Sequence, residues 1–130
     1  MAKKSPAFQE IRASVLAITA AIPPGRLCTF AAMGKHLNVM ARHVAYILAT
    51  LTPAEQVQIP WHRVVSEPGV IRPGSNPDRI RDQVLLLTDE GIPLTPDLQI
   101  LDFEQRRCHP SQLVAWDYRH HRYGQQQSSQ

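Results

Sequence analysis

Phe8, Ile11, Val15, Ile18 and Ile22 recur at intervals of three and four residues and then run into Pro23-Pro24-Gly25. That spacing lays one apolar stripe along a helix, and a helix with a single stripe must bury it against another element. Ser5 and Pro6 read as its N-cap and first helical position. Two prolines and a glycine stop it, so later segments have to supply the cover. "LCTF" reads as a short link, and Thr29 is placed to cap a short helix over about 30–37. After Asn38 a second helix is expected from about Val39 to Thr52, with Met40, Val44, Ile47, Leu48 and Leu51 turned inward. Two short helices joined by a very tight turn match a helix-turn-helix. Spacing alone also allows, and on frequency favours, a pair of ordinary core helices.

Further on, "VQIPWHRVV" reads as a strand, "SEPG" as a turn and "VI" as a short return strand. "RPGSNP" at 72–77 is a loop rich in turn formers. Asn76, Pro77 and Asp78 then give N-cap, first position and first-turn acid of another helix. Ile80, Val84 and Leu87 mark its buried face, and Gly91 ends it. "LQILDF" suits a strand or a helix start; "VAWDYRHHRY" is aromatic and basic; from about residue 124 "GQQQSSQ" reads as a disordered tail. The expected organisation is a domain over 1–96 and a divergent extension over 97–130.

A chain of 130 residues with 43% hydrophobic content supports one modest core. The formal net charge of +3 suits a polyanionic partner without requiring one. Cys28 and Cys108 are too far apart in sequence for metal spacing and too few for a disulfide framework. The basic N-terminus lacks the apolar core of a signal peptide, and no apolar run approaches the ~20 residues of a membrane span. A soluble intracellular protein with reduced thiols is expected, in the cytoplasm or, in a eukaryote, the nucleus.

The stretch "IPWHRVV" at 59–65 sets Trp61 beside His62 where a short strand would alternate. As a general base His62 needs something to activate, and its neighbour is an indole. No Ser, Cys or Thr lies immediately beside it, so a structural hydrogen bond is the commoner role. His36, His43 and His62 show no spacing that forces convergence on a metal. Arg42 on its own reads as a surface arginine of an amphipathic helix, and Glu90 as a solvated residue near a helix end.

Taken with its flanks, however, "IPWHRVV" resembles the active-site motif of the O6-alkylguanine-DNA alkyltransferases, Pro-Cys-His-Arg-Val, with tryptophan in the place of the cysteine. That replacement is the mark of the alkyltransferase-like proteins. "AIPPGRLCTFAAMGKHL", "ARHVAYIL" and "LLLTDEGI" resemble three further family segments, in family order, over about residues 8 to 93. The resemblance implies a mostly α fold with a short β-hairpin: a single winged-helix-like domain containing a helix-turn-helix, as in the alkyltransferase C-terminal domain. It implies that His62 and Glu90 persist from a nucleophile–base–orienter set with nothing left to activate. They would shape a pocket walled by Trp61, Val64, Arg72 and Ser75 around a flipped alkylguanine. Arg72 would lie over the base as a cation–π partner, with an exposed loop charge as its alternative. Arg42 would be the finger that fills the gap left by the extruded nucleotide, with its helix in the minor groove.

Three departures stand out. Phe30 occupies the place of a tyrosine that turns the 3′ phosphate, keeping bulk and losing the hydroxyl. Ala45 replaces a glycine, and the stretch from Phe30 to Arg42 is shorter than the family pattern. The expectation is a monomeric, non-enzymatic sensor of O6-alkylguanine in duplex DNA, without cofactor or metal. It would hand lesions to nucleotide-excision repair proteins. Two rivals remain: a divergent methylated-DNA cysteine alkyltransferase using Cys28 or another group, and a helix-turn-helix regulator that reads sequence.

Overall fold

A computed structural model describes residues 6–72 and 76–113. Helix α1, Pro6–Ala20, carries the apolar stripe: Val15 and Ile18 are fully buried, Ile22 lies just beyond, and Phe8 and Ile11 pack at the margin. The N-cap expected at Ser5 lies outside the described residues.

After Pro-Pro-Gly the chain doubles back through β1, Cys28–Thr29, into α2, Phe30–Leu37. Thr29 caps α2 by accepting the Ala32 amide at 3.0 Å. Asn38 takes a left-handed φ of 61° and closes α2. The turn is tight because Gly34 has no side chain: a Cβ there would sit 2.6 Å from the Val39 carbonyl oxygen. Helix α3 is Ala41–Ala49, shorter at both ends than the spacing suggests. Met40, expected inward, is its N-cap and is 53% exposed, because residues 38–40 are spent on the turn. At the other end Thr52 opens a new helix. Its hydroxyl accepts the Glu55 amide and the Glu55 carboxylate accepts the Thr52 amide, with Pro53 at the first position.

That capping box overturns the expected strand over 57–65. The segment is α4, Pro53–Gln58, followed by a single 3-10 turn, Trp61–Arg63, and only then β2, Val64–Val65. β2 pairs in parallel with β1, Cys28 opposite Val64 and Thr29 opposite Val65. The reversal at "SEPG" survives as an antiparallel bridge between Ser66 and Val70. The mostly helical architecture thus has a two-stranded parallel sheet at its centre, between two apolar clusters. Residues of α1, α2 and α3 with Trp61 and Val64 form one; Leu27, Val65, Ile71, Leu87, Ile92, Ile100 and Phe103 form the other.

Helix α5, Pro77–Asp89, begins on the Asn76 side chain, which accepts the Asp78 and Arg79 amides. It ends in a paired reversal: Gly91, at φ 77°, gives its amide to Thr88 and Ile92 gives its amide to Leu87. "LQILDF" turns out to be both things its sequence suits. Gln99 and Ile100 bridge to Val70 and Leu94, and Phe103 begins α6, Phe103–Arg106. The last helical turn among the described residues, α7, is Pro110–Leu113. The segment before α7 is tied back to the start of the sheet, since Leu27 and Arg107 bridge in parallel. No helix among the described residues is long and apolar enough to cross a membrane.

Candidate lesion-recognition site

The 3-10 turn puts Trp61 and His62 edge to face, ring centroids 6.2 Å apart and planes at 88°. The two side chains face different neighbours. Trp61, 7% exposed, walls a cleft of about 590 Å³ that Phe30, Val64 and Arg72 also line, together with residues of α5. That volume suits a ligand the size of a nucleobase with an adduct.

His62 points away from the cleft's indole wall toward Glu90. The paired reversal at Gly91 holds Glu90 at the C-terminal end of α5, where its carboxylate has a full set of donors. His62 Nε2 lies 2.7 Å from Glu90 Oε2. Arg63 donates from Nε at 2.9 Å and from Nη2 at 2.6 Å, and the Gly25 amide donates at 3.0 Å. Arg63 also gives Nη1 to the Ile22 carbonyl, so this one carboxylate ties the end of α1, the 3-10 turn and α5 together. Burial alone would raise the Glu90 pKa; the Arg63, Gly25 and His62 hydrogen bonds outweigh it and hold the carboxyl at about 2. Burial lowers the His62 pKa against the opposing pull of Glu90. The imidazole is therefore neutral, with its Nε2 proton given to an acceptor-only carboxylate, and Arg63 is the true counterion.

Arg72 is an exposed residue at the cleft rim and donates Nη2 to the Glu67 carbonyl at 3.0 Å. Ser75 lies outside the described residues. Arg42 is exposed near the start of α3 and makes no hydrogen bond or ion pair to the described residues, while Ala45 and Ala49, on the same side of that helix, border the space beside Trp61. The structure thus brings Trp61, Val64, Phe30 and Arg72 to one cleft and places His62 and Glu90 behind it as a brace. Arg42 stands on the neighbouring helix face.

Three contributors escaped the sequence reading. Arg79 lies 4.1 Å from the Trp61 ring centroid and gives Nη2 to the Leu48 carbonyl at 2.6 Å; burial lowers its pKa against the pull of Asp82. Gln83 donates to the carbonyls of His62 and Val64, at 3.1 and 3.2 Å. Arg63 stood inside the quoted motif without a role. Arg79 and Gln83 lie four apart on α5, a spacing that puts both on one helix face, but nothing in the sequence says which face meets the indole.

The family model of the 6-O-methylguanine DNA methyltransferase DNA-binding domain matches residues 10–92. No curated protein matches the sequence. Among solved structures, S. pombe Atl1 in complex with damaged DNA containing O6-carboxymethylguanine superposes with a TM-score of 0.68 at 23% identity, over 77% of this chain and 95% of that one. A structure of S. pombe ATL in complex with DNA gives 0.67 at 24% identity, with the same coverage. At these identities the likeness concerns the fold.

Proposed function

From the membership of this chain in the 6-O-methylguanine DNA methyltransferase family, through its DNA-binding domain, we propose that it is a non-enzymatic sensor of O6-alkylguanine in duplex DNA. The observation that carries this reading is Trp61. It stands where the resembled motif has its cysteine, and it walls a cleft of nucleobase size beside α3. An indole takes no alkyl group from an ether oxygen under these conditions, but its flat face is a good surface for a flipped base and its substituent. The bracing of Glu90 by Arg63, Gly25 and His62 leaves its charge committed to fold geometry.

Cys28 is a poor substitute nucleophile. It is fully buried, and burial pushes its thiol up to about 12, so it stays protonated at neutral pH. Arg42, on the exposed side of α3, has the reach and the planar cation to replace an extruded nucleotide in the stack. Because the bound lesion is unchanged, its removal falls to other proteins, and excision-repair proteins are the partners this reading requires. S. pombe Atl1, whose fold this chain shares, was crystallised in complex with damaged DNA.

The test is a pair of otherwise identical duplexes, with and without one O6-methylguanine. The lesion duplex should bind more tightly, and the intact mass of the protein should be unchanged after incubation. Replacing Trp61 with alanine should cut the preference for the lesion while leaving background DNA binding. Equal binding to both duplexes would overturn lesion recognition and favour the sequence-reading regulator. A gain of one methyl mass on the protein would overturn the non-enzymatic reading.

A further inference from the structure

The guanidinium of Arg79 is charged, half-buried and poorly supplied with acceptors. It stacks on Trp61 at 4.1 Å, and its one side-chain hydrogen bond among the described residues goes to the Leu48 carbonyl. A guanidinium has five N–H donors, and Arg79 forms no ion pair among the described residues. The other charged groups lining the cleft do not relieve it. Asp78 is held by Arg81 at 2.9 Å; Asp82 acts on Arg79 through space without an ion pair; Arg72, at the rim, is a second cation. A cation that has shed part of its water without gaining a counterion favours any ligand that brings an anion to it.

Resting on the lesion-pocket reading above, we propose that Arg79 biases this cleft toward O6 adducts that carry a negative charge, carboxyalkyl groups in particular. An adduct laid against the Trp61 wall would come within reach of the unused N–H groups, and a carboxylate matches the planar fork of a guanidinium with two parallel hydrogen bonds. A backbone phosphate of the bound DNA could present the same anionic oxygens, and the experiment separates the two sources.

Four duplexes of one sequence are compared: unmodified guanine, O6-methylguanine, O6-carboxymethylguanine and O6-carbamoylmethylguanine. The last is the neutral amide of nearly the same shape as the acid. The wild-type protein should prefer the acid to the amide by roughly tenfold or more, the scale of a charge-assisted pair over a neutral one. Arg79→Gln should collapse that acid-to-amide ratio toward one, each duplex being read against O6-methylguanine on the same variant so that any general loss of lesion binding cancels. Arg79→Lys, which keeps the charge and loses the fork, should retain an intermediate ratio. A uniform loss on all four duplexes would assign Arg79 to a phosphate and overturn the proposal. So would a wild-type acid-to-amide ratio near one, a result that holds even if the Arg79 variants fail to fold. If all three adducts beat guanine equally, only the charge preference falls; if none beats guanine, the lesion-pocket reading falls with it.

Discussion

Single residues in this protein divide by what their charge is committed to. Glu90 and Arg63 commit theirs to one another and to two backbone groups, the Gly25 amide and the Ile22 carbonyl; Arg42 commits its charge to nothing in the described chain. Arg42→Ala should therefore leave the melting temperature near that of wild type and weaken binding to a lesion duplex by about 1–3 kcal/mol, as for loss of a charged hydrogen-bonding group; fluorescence anisotropy beside a thermal melt checks both halves. The Glu90 brace predicts a pH profile. With its folded pKa near 2 and its ordinary value at 4.5, Glu90 contributes stability that is complete above about pH 4.5 and is lost as pH falls toward 2. His62 has its folded pKa depressed below 6.5, so the unfolded chain takes that proton first and stability starts to decline below about pH 6.5. Thermal melts across this range should show a gentle fall, then a steeper one. Glu90→Gln should remove most of the steep part and lower stability at neutral pH, because Arg63 loses its counterion. His62 and Glu90, which lie in two separate motifs, were legible as a pair only through the family resemblance. That Arg63 and the Gly25 amide complete the set depends on the turn after α1 coming back beneath α5.

At the scale of elements, short helices hold their places by caps and close approaches more than by length. The α2–α3 turn is the clearest case. Gly34 lies against backbone, so a methyl group there cannot be accommodated by a side chain swinging aside. Gly34→Ala should cost about 1–3 kcal/mol, the range for overpacking a tight site, and should reduce DNA binding by displacing α3; denaturant unfolding with a parallel binding titration measures the two effects. Two short helices and a tight turn were readable from Thr29, Asn38 and the apolar spacing, which alone favoured an ordinary core pair; the family resemblance made them a helix-turn-helix, and their exact ends were not legible. Met40 fits the apolar stripe on paper, and only the turn geometry turns it out to solvent. The lost strand over 57–65 has a similar origin. Ile59, Val64 and Val65 suggest extended chain, but Thr52, Pro53 and Glu55 start a helix whose local capping outweighs β-propensity up to Gln58.

For the whole molecule, a net charge of +3 spread over a small domain predicts binding that weakens steeply with salt. A logarithmic plot of affinity against salt concentration should have a clear negative slope for both lesion and plain duplexes, and a flat line would point to a protein-binding surface instead. By itself the sequence determined the helical class, the caps at Thr29 and Asn76, the stop at Gly91 and the family motifs. Each of these rests on interactions within a few residues along the chain, and local spacing records such interactions directly. Only the tertiary structure decided that β2 pairs with β1 rather than with the residues after the turn, since pairing partners thirty-six residues apart leave no periodic trace. It alone decided that Phe103 packs against Gly69, where a Cβ would come within 2.4 Å of the ring. It also placed Arg79 on Trp61. A cation on a helix face looks the same in sequence whether it meets water or an indole, and the crossing of α5 over the 3-10 turn is what chooses between them.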